Sequence, residues 1–140
     1  MLFSEILEFV VTHRGREGCF DFPDNLLAGY IVWAFRMDYL FVTHKDGKLT
    51  SVAIAAPLNK GFDPEKDNII SFDRQIPIQD EKDHPIGILD YICTNPESHK
   101  EIVVKAVSRF SNFLHQDKWA MRFGKVSKLE NRYFNHFYYI

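Results

Sequence analysis

Hydrophobic positions along this chain change their period several times, and each change marks an element. Phe3, Ile6, Leu7, Val10 and Val11 recur at helical spacing, which predicts a first helix over residues 3–13 with Ser4 as its N-cap. Gly15 and Gly18 break that pattern and leave a polar loop. Residues 25–36 are apolar nearly all round. Their length and Asn25 at the cap position favour a second helix over a strand, with Gly29 its weak point. The period then drops to two. Tyr39 to Thr43 and Leu49 to Ala56 read as strands around an Asp46-Gly47 turn, and Pro57 ends the second.

Residues 59–85 hold much of the Asp, Lys and Pro, and read as an insertion with short strands over 69–72 and 74–78. Residues 86–93, IGILDYIC, are an apolar run of strand length bounded by Pro85 and Pro96, the pattern of a strand buried on both faces. Ser98 and Glu101 form a capping box, followed by a helical stripe of Ile102, Val103, Ala106, Val107, Phe110, Phe113 and Leu114, so a long helix runs to about His115. Residues 118–123 read as a strand and 127–137 as a final aromatic-rich helix. The expected fold is a single α/β (α+β) domain over 1–140, with a mixed central sheet flanked by helices and a parallel crossover between 86–93 and 118–123.

Composition narrows the function classes. Hydrophobic residues make up 46% of the 140 positions, enough for one substantial core. A net charge of −2 gives no basic face, so no nucleic-acid partner is expected. Thirteen Phe, six Tyr and two Trp either fill that core or form a partner surface; the C-terminal Phe137-Tyr138-Tyr139-Ile140 is the candidate for a protein contact. Cys19 and Cys93 form neither a disulfide framework nor a zinc pattern, and no His, Cys or carboxylate cluster has metal-ligand spacing. Glu5 and Glu8 make the N-terminus a poor signal peptide, and no apolar run reaches membrane-spanning length. The expected location is cytoplasmic, or a virion if the source is a phage.

The element order, the Asp46-Gly47-Lys48 turn and the strand that feeds a long helix resemble the GNAT superfamily of acyl-CoA N-acyltransferases. A narrower resemblance is to the toxin-activating lysine acyltransferases, carried by His13-Arg14, Leu89-Asp90-Tyr91 and Gly124-Lys125-Val126-Ser127. The resemblance implies a GNAT-like fold and an acetyl-CoA or other acyl-thioester cofactor. It also implies an amine acceptor, either a small molecule or a protein lysine. Asp90 and His13 would be catalytic, and Tyr133 would protonate the leaving thiolate. Cys93, Thr94, Asn95, Ser98, His99, Lys100 and Asn131 would contact the cofactor. The stretch that would cradle its phosphates, residues 95–102, has no glycine; Pro96 removes a donor and Glu97 and Glu101 repel anions, while Lys100 offsets part of that. This composition keeps open a second expectation, a catalytically degenerate domain that acts as a structural, virion or protein-interaction component.

Asp90 is the most informative single residue, because a carboxyl group inside an apolar strand needs a partner. If it is the base, Asp90→Asn abolishes turnover and leaves the Tm nearly unchanged. Thermal melts of the variant beside its activity check this, and a protein that mainly unfolds marks Asp90 as structural.

Overall fold

The computed structural model describes residues 3–14, 20, 22–58, 63, 84–110, 118–122 and 125–129. Its elements are α1 (Phe3–His13), α2 (Asp24–Arg36), β1 (Leu40–Lys45), β2 (Lys48–Pro57), β3 (Ile86–Cys93), α3 (Pro96–Arg109), β4 (Lys118–Arg122) and β5 (Lys125–Leu129). The class is α+β. One sheet runs in the order β1-β2-β3-β4-β5. Neighbours are antiparallel except β3 and β4, which are parallel and joined through α3. The hairpin, the central strand and the strand–helix–strand unit therefore stand where the hydrophobic pattern put them.

Several expectations are corrected. Residues 127–129 belong to β5 rather than to a final helix, because pairing with β4 from Arg122↔Lys125 to Lys118↔Leu129 overrides a weak local preference. The remainder of that expected helix, residues 130–137, lies outside the described residues. So do the strands expected over 69–72 and 74–78 and the C-terminal aromatic run. Helix α3 ends at Arg109 with Phe110 as its C-cap, short of the expected end at His115. Ser4 sits within the first turn of α1 instead of ahead of it. Helix α2 starts one residue before Asn25 and has no side-chain cap. The carbonyl of Pro23 takes the amides of Leu26 and Leu27 at 2.9 and 3.1 Å. Gly29 does not interrupt α2.

The strand registers divide the side chains between two faces. Phe41, Ala53 and Tyr91 form one row; Thr43, Ser51 and Cys93 form the next on the same face. Helix α3 covers these rows, with the Phe110 ring 6.2 Å from Phe41 and the His99 ring 5.2 Å from Tyr91. Leu40, Ile54 and Asp90 form a row on the opposite face. There α2 packs, and buries Leu27, Tyr30, Ile31 and Ala34. Arg109 ties the end of α3 to the turn after α2: its Nε donates to the Asp38 carbonyl at 3.0 Å, and its guanidinium lies 5.3 Å from the Tyr39 ring centre.

Three irregularities interrupt the described ladder. Thr43 faces Ser51 while His44 faces Leu49, so Thr50 is an extra residue in β2. Ile54 faces Asp90 while Ala55 faces Ile88, so Leu89 is an extra residue in β3. The β3–β4 pairing covers only Ile86↔Lys118, Gly87↔Trp119 and Ile88↔Ala120, although β3 continues to Cys93. Beyond Ile88 no further pair with β4 is found among the described residues.

Gly87 shows how tightly the start of β3 is packed. A Cβ there would lie 2.8 Å from Leu58 Cδ2 and 3.0 Å from its Cγ. Leu58 is held on both sides, its amide by the Pro85 carbonyl at 2.7 Å and its carbonyl by His84 Nδ1 at 2.8 Å. Gly87→Ala is expected to cost about 1–3 kcal/mol of stability by overpacking. In a Leu58→Ala background that cost should largely vanish. A urea-denaturation double-mutant cycle measures the coupling.

Candidate functional site

Asp90 is buried to 4% exposure. Its Oδ1 accepts the Phe20 amide at 2.5 Å and its Oδ2 accepts the Tyr30 hydroxyl at 2.6 Å. The carboxyl group thus ties β3 to α2 and to the segment that precedes α2. Each buried donor left without an acceptor would cost about 1–3 kcal/mol, which is why a carboxyl group is stable at this apolar position. Asparagine would keep one acceptor for Phe20 and could offer its amide N–H to the Tyr30 oxygen; alanine would strand both donors. The same region is braced by Arg14, which donates to the Phe22 carbonyl at 2.9 Å and pairs with Asp24.

A second polar centre lies at the junction of β3 and α3. The sequence-predicted residues Cys93, Thr94, Asn95, Ser98 and His99 come together there. Asn95 is the N-cap of α3: its backbone is extended at φ −152° and ψ 156°, and its side-chain oxygen accepts the Ser98 amide at 2.7 Å. Ser98 is therefore not the cap, as the Ser98–Glu101 spacing suggested, because Pro96 at the start of the helix moves the cap back to Asn95. Ser98 instead points its hydroxyl at the Cys93 sulfur, 3.0 Å away. The Cys93 thiol donates to the Asn95 carbonyl at 2.8 Å. The Thr94 amide and hydroxyl both donate to the Thr50 carbonyl at 2.9 Å.

The ionisation of Cys93 follows from these contacts. Burial pushes the thiol up, but the polar side chains of His99, Ser98 and Tyr91 around it outweigh burial and hold the thiol below its ordinary range. His99 is itself oriented by Tyr91, whose hydroxyl bonds Nδ1 while the rings stand edge-on at 87°. The sequence reading gave no role to Tyr91, nor to the buried Thr43, Thr50 and Ser51 that continue the polar row. A signal was present: Tyr91 and Cys93 are two apart in a strand and share a face, and three hydroxyl residues interrupt an otherwise apolar hairpin.

The remaining candidates lie elsewhere or outside the described residues. His13 ends α1 with its ring 4.7 Å from Phe9, and lines a groove of about 350 Å³ between α1 and the β1–β2 turn, with Glu5, Glu8, Thr12, Lys48 and Leu49. That groove is separate from the pair that Asp90 makes with Tyr30. Lys100 is exposed on the first turns of α3. Tyr133 and Asn131 lie outside the described residues. Among the described residues no group of three His, Cys, Asp or Glu side chains could hold a metal ion, and no helix is long and apolar enough to cross a membrane. No protein-family model, curated protein or solved structure matches the chain.

The Cys93 geometry sets a measurable reactivity. A thiol held below its ordinary range has more thiolate at neutral pH, so Cys93 should alkylate severalfold faster at pH 7 than an unperturbed cysteine. The rate should rise with pH through a midpoint below the usual thiol value. Tyr91 faces the sulfur from β3, and His99 and Ser98 from α3. The nearby charges are Lys100 and Glu97 on α3, and Lys45 of β1, which pairs with Glu97 at 3.1 Å. His99→Gln should move the midpoint upward, as read by iodoacetamide kinetics with peptide mass spectrometry to separate Cys93 from Cys19.

Proposed function

We propose that this chain is a GNAT-like N-acyltransferase that moves an acyl group from a thioester donor, acetyl-CoA or another acyl-thioester, to an amine, either a small molecule or a protein lysine. The observation that carries this reading is where the described β3–β4 ladder ends. The last pair is Ile88↔Ala120, beside the Leu89 bulge and two residues before Asp90. An acyl-pantetheine arm is an extended chain with amide groups. Strand backbone beside the end of a ladder is the kind of surface along which such a strand-like partner can lie. Bulges recur beside active sites because they re-aim backbone and side chains.

In this reading the amine enters over α1 and α2 and loses a proton to Asp90. The thioester carbonyl is polarised by a backbone N–H near Cys93, and Tyr133 protonates the departing thiol. Asp90 also acts through position, since it holds Phe20 against β3 while Arg14 holds Phe22. Thr94, Asn95, Ser98, His99, Lys100 and Asn131 are the residues nearest in kind to a donor-binding set. A donor carried on a protein would relax the demand for a glycine-rich phosphate cradle.

A second reading, a degenerate domain on the same scaffold that serves as a structural, virion or protein-interaction component, is favoured by the capping of α3. Asn95 already occupies the Ser98 amide, and Glu97 stands in the first turn where an anion would sit. Thermal shift separates the two. A thioester enzyme should gain about 2.7 kcal/mol at a hundredfold excess of ligand over Kd, a rise in Tm of several degrees. Acetyl-CoA, longer acyl-CoAs and an acylated carrier protein are the ligands to compare. No shift at millimolar donor, with no amide product from an amine acceptor, would favour the binding domain.

A further inference from the structure

We infer that the closed end of the β4–β5 hairpin, through Arg122 and Lys125, binds the phosphate groups of the thioester donor. The inference rests on the acyltransferase reading and names the part of the site that grips the anionic end of the donor.

Arg122 and Lys125 are register partners, directly across from each other where the hairpin closes. Opposite positions in an antiparallel ladder stand close, with Cβ atoms about 4.5–5.5 Å apart, so like charges there destabilise the pair. An anion held between them replaces that repulsion with charge-assisted contacts. The rest of the hairpin repeats the sign. Residues 118–129 carry Lys118, Arg122, Lys125 and Lys128 and no Asp or Glu, in a chain whose net charge is −2. Positive charge is gathered on this hairpin, while the remainder of the chain is acidic.

The place fits the donor as well as the charge does. Strand β4 runs parallel to β3, so Arg122 at its carboxyl end lies at the same end of the sheet as Cys93 and the start of α3. Parallel strand–helix–strand units bind their ligands at the carboxyl ends of the strands. Lys100, exposed on the first turns of α3, adds a cation at that end. Glu97, the acid in the first turn, is engaged by Lys45 at 3.1 Å. The helix start itself offers little to a phosphate, because residues 95–102 contain no glycine and Asn95 already takes the Ser98 amide at 2.7 Å. Arg and Lys side chains reach phosphate without a close approach of backbone, so they do not need a glycine cradle.

The test measures, by calorimetry at fixed ionic strength, the affinity of the full chain for acetyl-CoA, acetyl-phosphopantetheine and acetyl-pantetheine. Acetyl-CoA should bind on the order of tenfold to a hundredfold more tightly than the phosphate-free acetyl-pantetheine. A gain already complete with acetyl-phosphopantetheine marks the phosphate beside the pantetheine arm; a gain seen only with acetyl-CoA marks the nucleotide phosphates. Arg122→Gln and Lys125→Gln should each remove most of the gain and leave the affinity for acetyl-pantetheine unchanged. Lys128→Gln, at the position that pairs with Trp119, should keep it. The two hairpin-end substitutions should also raise the Tm of the ligand-free chain, since each separates two like charges. The comparison of the three donors on the wild-type chain stands even if a variant fails to fold. Equal affinity with and without phosphate would overturn the inference and leave the acyltransferase reading standing. So would a gain that survives both substitutions, or one that Lys128→Gln reduces as much. Binding of none of the three donors would overturn both.

Discussion

One buried carboxyl group joins the two halves of this fold. Asp90 sits in the middle of β3, where every neighbour in the strand is apolar or aromatic, and takes two donors from the far side of the sheet. Phe20 and Tyr30 are the largest fully buried side chains on that side, and their rings lie 6.3 Å apart. Removing the carboxyl group would leave two donors in an environment from which water is excluded. The positions of α2 and of Phe20 are therefore set by β3 as much as by apolar packing.

The opposite face of the same strand is organised by hydroxyl and sulfur groups. Thr43, Ser51 and Cys93 lie side by side across three strands, and the carbonyl of Thr50, the extra residue in β2, receives Thr94. This row ends under the first turn of α3. Ser98, whose amide takes part in the cap, also faces the Cys93 sulfur with its hydroxyl at 3.0 Å. Structure and reactivity meet here in one residue.

Most of the described architecture was legible in the hydrophobic pattern, because strand and helix periods are strong where one face is buried. The β1–β2 hairpin was announced by Asp46-Gly47, and those residues take positive φ values of 54° and 78°. Residues 86–93 and 118–122 were legible as strands because apolar runs of that length have few alternatives. What stayed hidden depends on neighbours distant in sequence. The strand over Lys125–Leu129 is made by pairing with β4. The cap at Asn95 is decided by Pro96, which a Ser-x-x-Glu pattern does not weigh. The partners of Asp90 come from an aromatic and a backbone amide far away in the chain. Tyr91 looked like core, and only the approach of His99 across the β3–α3 turn gives it a polar task.

The strand order follows the chain order, so each described strand is laid beside the one made just before it. Such a sheet closes short loops first, and short closures are fast. The bonds of Asp90 to Tyr30 and Phe20 span 60 and 70 residues. Loop-closure entropy makes those contacts expensive until the sheet exists to receive them. Docking of the N-terminal helices onto β3 is thus a late folding event, and its reversal is the natural first opening of the native state.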